Sequence, residues 1–315
     1  MTRRGRPSTV PTMAADAKAK SRQYAPFGLP IEAGRVPSGL YLIATPIGNL
    51  GDITLRALET LAGVDVIACE DTRVTRKLTD RYGIATPLTA YHEHNAAEAR
   101  PKLLARLAAG QSVALVSDAG TPLISDPGYK LARAAREAGH QVTALPGASA
   151  VLAALTVAGL PTDRFFFEGF LPPKQSARQK RIAALANIQA TLVLFESGSR
   201  LASMLVDLAK ALGPRAAAIC RELTKLHEEV KCENLDVLAR YYGGDAETRG
   251  EFVILVAPPE DAREASDIDA LLKHALSRVS VKDAVGEVAV ATGRPRREIY
   301  QRALALTKVN GNDAE

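Results

Sequence analysis

Between Leu40 and Leu145 the chain repeats one unit: a short apolar run, then a helical segment that stops on glycine. The runs are Leu40–Ala44, Val64–Ala68, Leu88–Tyr91, Ser112–Ser117 and Gln141–Leu145. The first helix is expected to start at an Asp52 N-cap and run to Ala62. Arg73–Tyr82, Ala96–Ala109 and Tyr129–Ala138 follow, and the four helices close on Gly63, Gly83, Gly110 and Gly139. Strands that are apolar along their whole length bury both faces, and strands joined through helices run parallel. The pattern therefore predicts an α/β domain with a parallel sheet covered on both sides.

A second unit begins near Pro161. Phe165–Phe167, Leu192–Phe195, Ala216–Cys220 and Phe252–Ala257 read as strands, with helices over Ser176–Ala186 and Leu201–Leu212. Strand and helix interleave less regularly here, which predicts a mixed sheet. Pro258-Pro259 marks a linker to three short helices, Ile268–Leu276, Val281–Thr292 and Arg296–Leu306, with Ser280 as an N-cap and Gly293 as a stop. These form either a helix-turn-helix-like module or a helical lid. The expected layout is a disordered basic arm over 1–36, α/β domains over 37–158 and 159–258, and the helical module over 266–307.

Composition narrows the function classes. An apolar fraction of 47% with 24% charged residues is globular. No apolar run reaches the length of a membrane span and the first residues lack a secretory h-region, so a cytoplasmic protein is expected. Cys69, Cys220 and Cys232 form no CxxC pair, which argues against structural zinc or a disulfide framework. The net charge of +5 resides in residues 1–36, where seven basic residues face only Asp16 and Glu32. The remaining chain is neutral, so nucleic acid would need local basic patches.

Ligands of open parallel sheets bind beyond the carboxyl ends of the strands. Every strand end of the first unit carries an elaborate segment: Thr45–Asp52, Glu70–Arg73, His92–Asn95, Ser117–Gly128 and Leu145–Ala150. Five polar or glycine-rich loops on one rim indicate a binding cleft. Neither GxGxxG nor GxxxxGK[ST] is present, which disfavours dinucleotide binding and P-loop hydrolysis, and Ser149 lacks a GxSxG setting. His92 and His94 have no third ligand nearby, so no metal is expected.

Tyr41-Leu42-Ile43-Ala44-Thr45-Pro46-Ile47-Gly48-Asn49-Leu50-Gly51-Asp52, Glu70-Asp71-Thr72-Arg73, Ser117-Asp118-Ala119-Gly120-Thr121-Pro122 and Arg221-Glu222-Leu223-Thr224-Lys225 resemble the ribosomal-RNA-modifying branch of the tetrapyrrole methylase superfamily. The likeness runs from about Gly39 to Ala257, and the helical tail is similar as well. It implies the class III methyltransferase fold: two α/β domains with S-adenosylmethionine in the cleft between them, in a homodimer. It also implies 2′-O-methylation of a decoding-site cytidine in the 16S ribosomal RNA of the small subunit. By position, the cofactor would meet Pro46, Asp118, Gly120, Thr121, Ile124, Ser149 and Ala150, with Phe195, Glu196 and Leu223 from the second domain. Where the family often has histidine before an arginine, this chain has Ser199 before Arg200. That argues against catalysis at this position and leaves packing or RNA contact.

A ribose hydroxyl is weakly acidic, so a general base would help by about 10²–10⁴-fold. Glu70, Asp71 and His94 are candidates on the rim, with Arg73 orienting a carboxylate or phosphate. Lys174 serves as a base only if its pKa is depressed, and otherwise binds phosphate. Two basic clusters suit RNA backbone: Lys174, Arg178, Lys180 and Arg181, and Arg294, Arg296, Arg297 and Arg302. With no tryptophan in the chain, shape and phosphate reading are expected to outweigh base stacking. The rival readings are a tetrapyrrole C-methyltransferase and a non-catalytic ribosome-assembly factor.

Overall fold

A computed structural model describes residues 22–244, 246–259 and 262–310. Residues 22–36, expected within the disordered arm, are folded instead. β1 (Gln23–Tyr24) and β2 (Ile31–Glu32) pair antiparallel, Tyr24 is buried, and Arg22 donates to the Gly63 carbonyl and, at 2.8 Å, to Asp65. Gly63 makes this possible: a Cβ there would lie 2.5 Å from the Gly34 carbonyl oxygen and 2.6 Å from Val36. The glycine read as a helix stop is needed for close packing. The rest of the expected arm lies outside the described residues.

The first sheet carries β3 (Gly39–Ile43), α1 (Leu55–Gly63), β4 (Val66–Cys69), α2 (Thr72–Arg81), β5 (Leu88–Ala90), α3 (Ala96–Ala108), β6 (Ser112–Val116), α4 (Tyr129–Glu137) and β7 (Val142–Leu145). All five strands are parallel, in the order β5-β4-β6-β3-β7. Strand residues alternate between two cores. Ile43, Ile67, Cys69 and Val116 meet α1 and α2 on one face, while Leu40, Ala68, Val113 and Leu115 meet α3 and α4 on the other. The helices that follow neighbouring strands β3 and β6 thus leave to opposite faces. That is a topological switch point, with a crevice outside the two strand ends. The cap of α1 is Thr54, which accepts from the Ala57 amide at 3.1 Å, and not Asp52, which ends a 3-10 turn.

The second sheet follows α5 (Ala150–Val157). It contains β8 (Phe165–Phe170), α6 (Gln175–Leu185), β9 (Thr191–Ser197), α7 (Gly198–Leu212), β10 (Ala216–Arg221), β11 (Glu229–Asn234), α8 (Leu235–Tyr242) and β12 (Glu251–Val256). The order is β11-β10-β12-β9-β8, with β8 and β9 parallel and the other pairs antiparallel. One face packs on α6, α7 and α8. The other packs on α5, through Val151, Ala154, Leu155 and Ala158 against Val193, Ala218, Val253 and Leu255. The boundary expected after 158 therefore falls behind a helix that already belongs to the second core. Ile47, from the loop after β3, joins that core, so the two lobes share apolar contacts beside the crevice.

α9 (Ala262–Leu276), α10 (Val281–Thr292) and α11 (Arg296–Asn310) share a small core of their own around Leu272, Val285, Val288 and Ile299. Ser280 caps α10 and Gly293 follows it with φ +68°. No helix among the described residues is long and apolar enough to cross a membrane.

Candidate active site

Loops leaving the first sheet are stitched to one another. Thr45 and Gly120 exchange backbone hydrogen bonds of 2.9 and 3.0 Å, joining the segments after β3 and β6. Gly120 holds φ +79°, and a Cβ there would press on Ile47 at 3.2 Å. The Thr121 hydroxyl donates to the Ala148 carbonyl at 3.2 Å, tying in the loop after β7. The Asp118 carboxylate accepts the Asp71 amide at 2.9 Å, tying in the segment after β4. Asn49 reaches the second lobe by donating its amide to the Thr224 hydroxyl at 3.1 Å.

These loops enclose a cavity of about 380 Å³ between the switch point and the inner face of the second sheet. That volume falls within the roughly 300–1,000 Å³ typical of small-molecule sites. Asp118, Gly120, Thr121, Ile124, Ser149 and Ala150 border it from the first lobe, and Phe195, Glu196 and Leu223 from the second. Pro46 is buried behind the wall, where Ile47 takes its place. Phe170 and Phe195 stand edge to face with centroids 5.6 Å apart and give the wall an aromatic corner. Ser149 caps α5 by accepting the Leu152 amide at 3.4 Å.

Backbone strain concentrates here. Of the five described non-glycine residues with positive φ, Leu123 and Ser125 lie on the loop after β6, and Glu222 and Thr224 flank Leu223 on the opposite wall. Such conformations cost of order 1–3 kcal/mol each and persist where the surroundings enforce them.

The wall contains none of the five residues expected in catalysis. Asp71 is occupied locally: it caps α2 through the Arg73 amide at 2.8 Å and holds the Arg73 guanidinium at 2.6 Å. The Arg73 hydrogen bonds hold its carboxyl down at about 2, too weakly basic to take a hydroxyl proton. Glu70 is not part of the wall, and its pKa is raised by burial and by the charge of Asp118, which is. His94 is exposed, while the partly buried His92 lies nearer Glu70, on which its charge acts. Lys174 is exposed at the start of α6.

The first basic cluster does not form one surface. Arg178 is 4% exposed and bound to the equally buried Asp207, with its Nε at 2.7 Å, so it is a core residue and not an RNA contact. Helical periodicity explains this, since Arg178 shares the inward face of α6 with Ile182 and Leu185. Lys180 is exposed, and Arg181 makes two 2.6 Å hydrogen bonds to Glu168. In the helical module Arg296 and Arg297 are exposed, Arg294 pairs with Glu298 at 2.7 Å, and Arg302 pairs with Asp269 at 2.7 Å.

Asp126 was not among the expected site residues. It lines the cavity ten residues beyond the last residue of β6, and burial together with the Glu70 charge pushes its carboxyl up to about 6. Its presence in the long Ser117–Gly128 loop was the only hint in the sequence.

The family model for tetrapyrrole (corrin/porphyrin) methylases matches residues 39–239. The chain belongs to the tetrapyrrole methylase family. A model of the RsmI C-terminal HTH domain matches residues 262–307, which makes the helical module of this methylase a helix-turn-helix domain. The chain is 53% identical over 283 residues to the ribosomal RNA small subunit methyltransferase I of Mesorhizobium japonicum, covering 89% of this chain and 96% of that protein. The protein of the same name from Xylella fastidiosa is 48% identical, with coverage of 84% and 98%. Among solved structures, a diphthine synthase aligns with a TM-score of 0.54 at 18% identity, over 69% of this chain and 89% of that one. A cobalt precorrin-4 methyltransferase aligns at 0.52 and 19%, over 69% and 94%. These structures share the methylase's fold.

Proposed function

We propose that this methylase uses S-adenosylmethionine to methylate the 2′-hydroxyl of a decoding-site cytidine in the 16S ribosomal RNA of the small subunit, as a cytoplasmic homodimer. The observation that carries the reading is the cavity at the switch point, built from motifs that lie within near full-length similarity to small-subunit ribosomal RNA methyltransferases. Its residues fit the donor. Ile124, Leu223 and the Phe170–Phe195 corner offer apolar faces to an adenine, Gly120 leaves room for close approach, and the backbone at Thr121 offers polar groups to its ribose and amino-acid ends. Bound there, S-adenosylmethionine supplies an electrophilic methyl group, and its transfer to a hydroxyl releases S-adenosylhomocysteine and one proton.

The protein's own contribution is positioning, which can supply roughly 7–11 kcal/mol of such a barrier. The hydrogen-bonded loops and the strained backbone on both walls hold the cavity in one shape and limit water. Lys174, Lys180, Arg296 and Arg297 are exposed and are proposed to contact RNA phosphates, whereas the exposed Arg181 is held by Glu168. The test incubates the protein with labelled S-adenosylmethionine and unmodified small subunits, then digests the RNA to nucleosides. Label in 2′-O-methylcytidine is expected, and its absence refutes the assignment. Label transferred only to a porphyrin precursor would support C-methylation of tetrapyrroles instead.

A further inference from the structure

The methyl-transfer reading leaves one proton to be removed, and the cavity wall holds several carboxylates. Most are committed elsewhere. Glu196 is 3.0 Å from the Arg200 guanidinium and accepts the Ser197 amide at 2.8 Å. Glu251 accepts from Lys225 at 2.9 Å, and the same lysine donates to Glu222 at 2.8 Å. Asp118 is engaged by the Asp71 amide. Asp126 differs, because it lines the cavity and the charged neighbours that act on it, Glu70 from the end of β4 and Asp118 from the end of β6, are both negative. Across the cavity the charged residues on the second lobe's wall are Glu196, paired with Arg200, and Lys225 and Glu251, which with Glu222 form a cluster of one cation and two carboxylates.

The loop that carries Asp126 is held rigidly. Leu123 and Ser125 adopt φ +74° and +62°. Gly128, at φ +136°, packs so closely that a Cβ would lie 2.6 Å from Leu115 and 2.8 Å from Leu123. From the second lobe Gly169 allows Ser125 to approach, its missing Cβ leaving 2.7 Å to the Ser125 hydroxyl. This fixes a carboxylate at the cavity surface on a backbone that does not relax freely.

We propose that Asp126 is the proton acceptor of the methyl transfer, with Glu70 as a positioning residue that keeps it basic. The inference rests on the methyltransferase reading of the same cavity. As the hydroxyl oxygen bonds the methyl carbon, the O–H bond breaks and its proton passes to the Asp126 carboxylate. The donor's C–S electron pair stays on sulfur. The carboxylic acid then returns its proton to solvent. An acceptor poised near 6 is largely ionised at neutral pH yet more basic than an ordinary aspartate, which suits general-base work.

The experiment measures calorimetric binding of S-adenosylmethionine and the pH–rate profile on unmodified small subunits for wild type, Asp126→Asn, Asp126→Glu and Glu70→Gln. Expected for Asp126→Asn is donor affinity within about threefold of wild type, a rate lower by about 10²–10⁴-fold, and loss of the acidic limb near pH 6. Asp126→Glu should restore part of the rate. Glu70→Gln removes a neighbouring negative charge, so the limb should move to lower pH. The Asp126 carboxyl, followed by NMR in donor-free protein, should titrate lower by the same amount. Asp126→Asn that binds donor and keeps both rate and limb overturns the inference and leaves the methyltransferase reading intact. A wild-type protein that binds no donor overturns both.

Discussion

Removing the Arg178 side chain tests whether burial or sequence clustering describes that residue correctly. Arg178 and Asp207 are each 4% exposed, with guanidinium–carboxylate distances of 2.6 and 2.7 Å, and Gln179 donates to the second Asp207 oxygen at 2.8 Å. Breaking a buried pair from one side costs about 3–5 kcal/mol, because the remaining charge stays desolvated. In Arg178→Ala the Gln179 hydrogen bond survives and places the loss near the lower end, at about 3 kcal/mol. Asp207→Ala strips the shared carboxylate from both partners and should fall near the upper end. At about 2–4 °C per kcal/mol, Arg178→Ala should unfold roughly 6–12 °C below wild type. The pair Arg178→Met with Asp207→Leu should recover much of that loss, since hydrophobic replacement of both charges is often neutral. Differential scanning calorimetry measures all three variants, and filter binding to small subunits supplies the second readout. Arg178→Ala that melts within about 2 °C of wild type but loses subunit affinity would show that the arginine serves RNA, and the core assignment would be wrong.

Gly48→Ala should weaken donor binding severalfold by calorimetry, because its Cβ would sit 2.4 Å from Lys225 Cγ, 2.9 Å from the Thr224 hydroxyl and 3.1 Å from the Leu223 carbonyl, pushing the loop after β3 off the second lobe. Asp126→Asn should raise the melting temperature at pH 8. Its carboxyl is pushed up to about 6 in the fold against an ordinary 3.8, so the ionised wild type loses stability as pH rises through that window, and the difference should shrink through it and vanish below the ordinary value. Lys174→Ala with Lys180→Ala should weaken subunit binding and flatten its salt dependence by about two phosphate contacts, with donor affinity unchanged. Equal loss of donor affinity would mark those lysines as structural.

The first lobe was legible because its strands are predominantly apolar and the four helices between them each end at or beside a glycine. β11 and α8 were not. The strand reads Glu229-Val230-Lys231-Cys232-Glu233-Asn234, an edge strand in which charged residues alternate with others and which shows no apolar run. α5 was not read as a helix, since Ala150–Val157 is short and apolar nearly all round. Residues 22–36 looked like a polar arm because their anchorage, Tyr24 in the core and Arg22 on Asp65 and Gly63, depends on partners some 40 positions away. Of the site, the strand-end loops were visible as motifs, whereas the basis for choosing among carboxylates was not.

By itself the order of residues determined which segments of the first sheet are strands, where ligand-binding loops must emerge, and which family the motifs resemble, since all of these depend on local propensity and the period of the apolar pattern. Only the tertiary structure decided that Arg178 lies in a core while Lys180 faces solvent, that Asp71 is consumed as a helix cap, and that Asp126 stands beside Glu70 at the cavity. The basicity of a carboxylate and the reach of a cation are set by the charges and the water around them. Those come from chain segments brought together across the fold, and no window of neighbouring residues contains them.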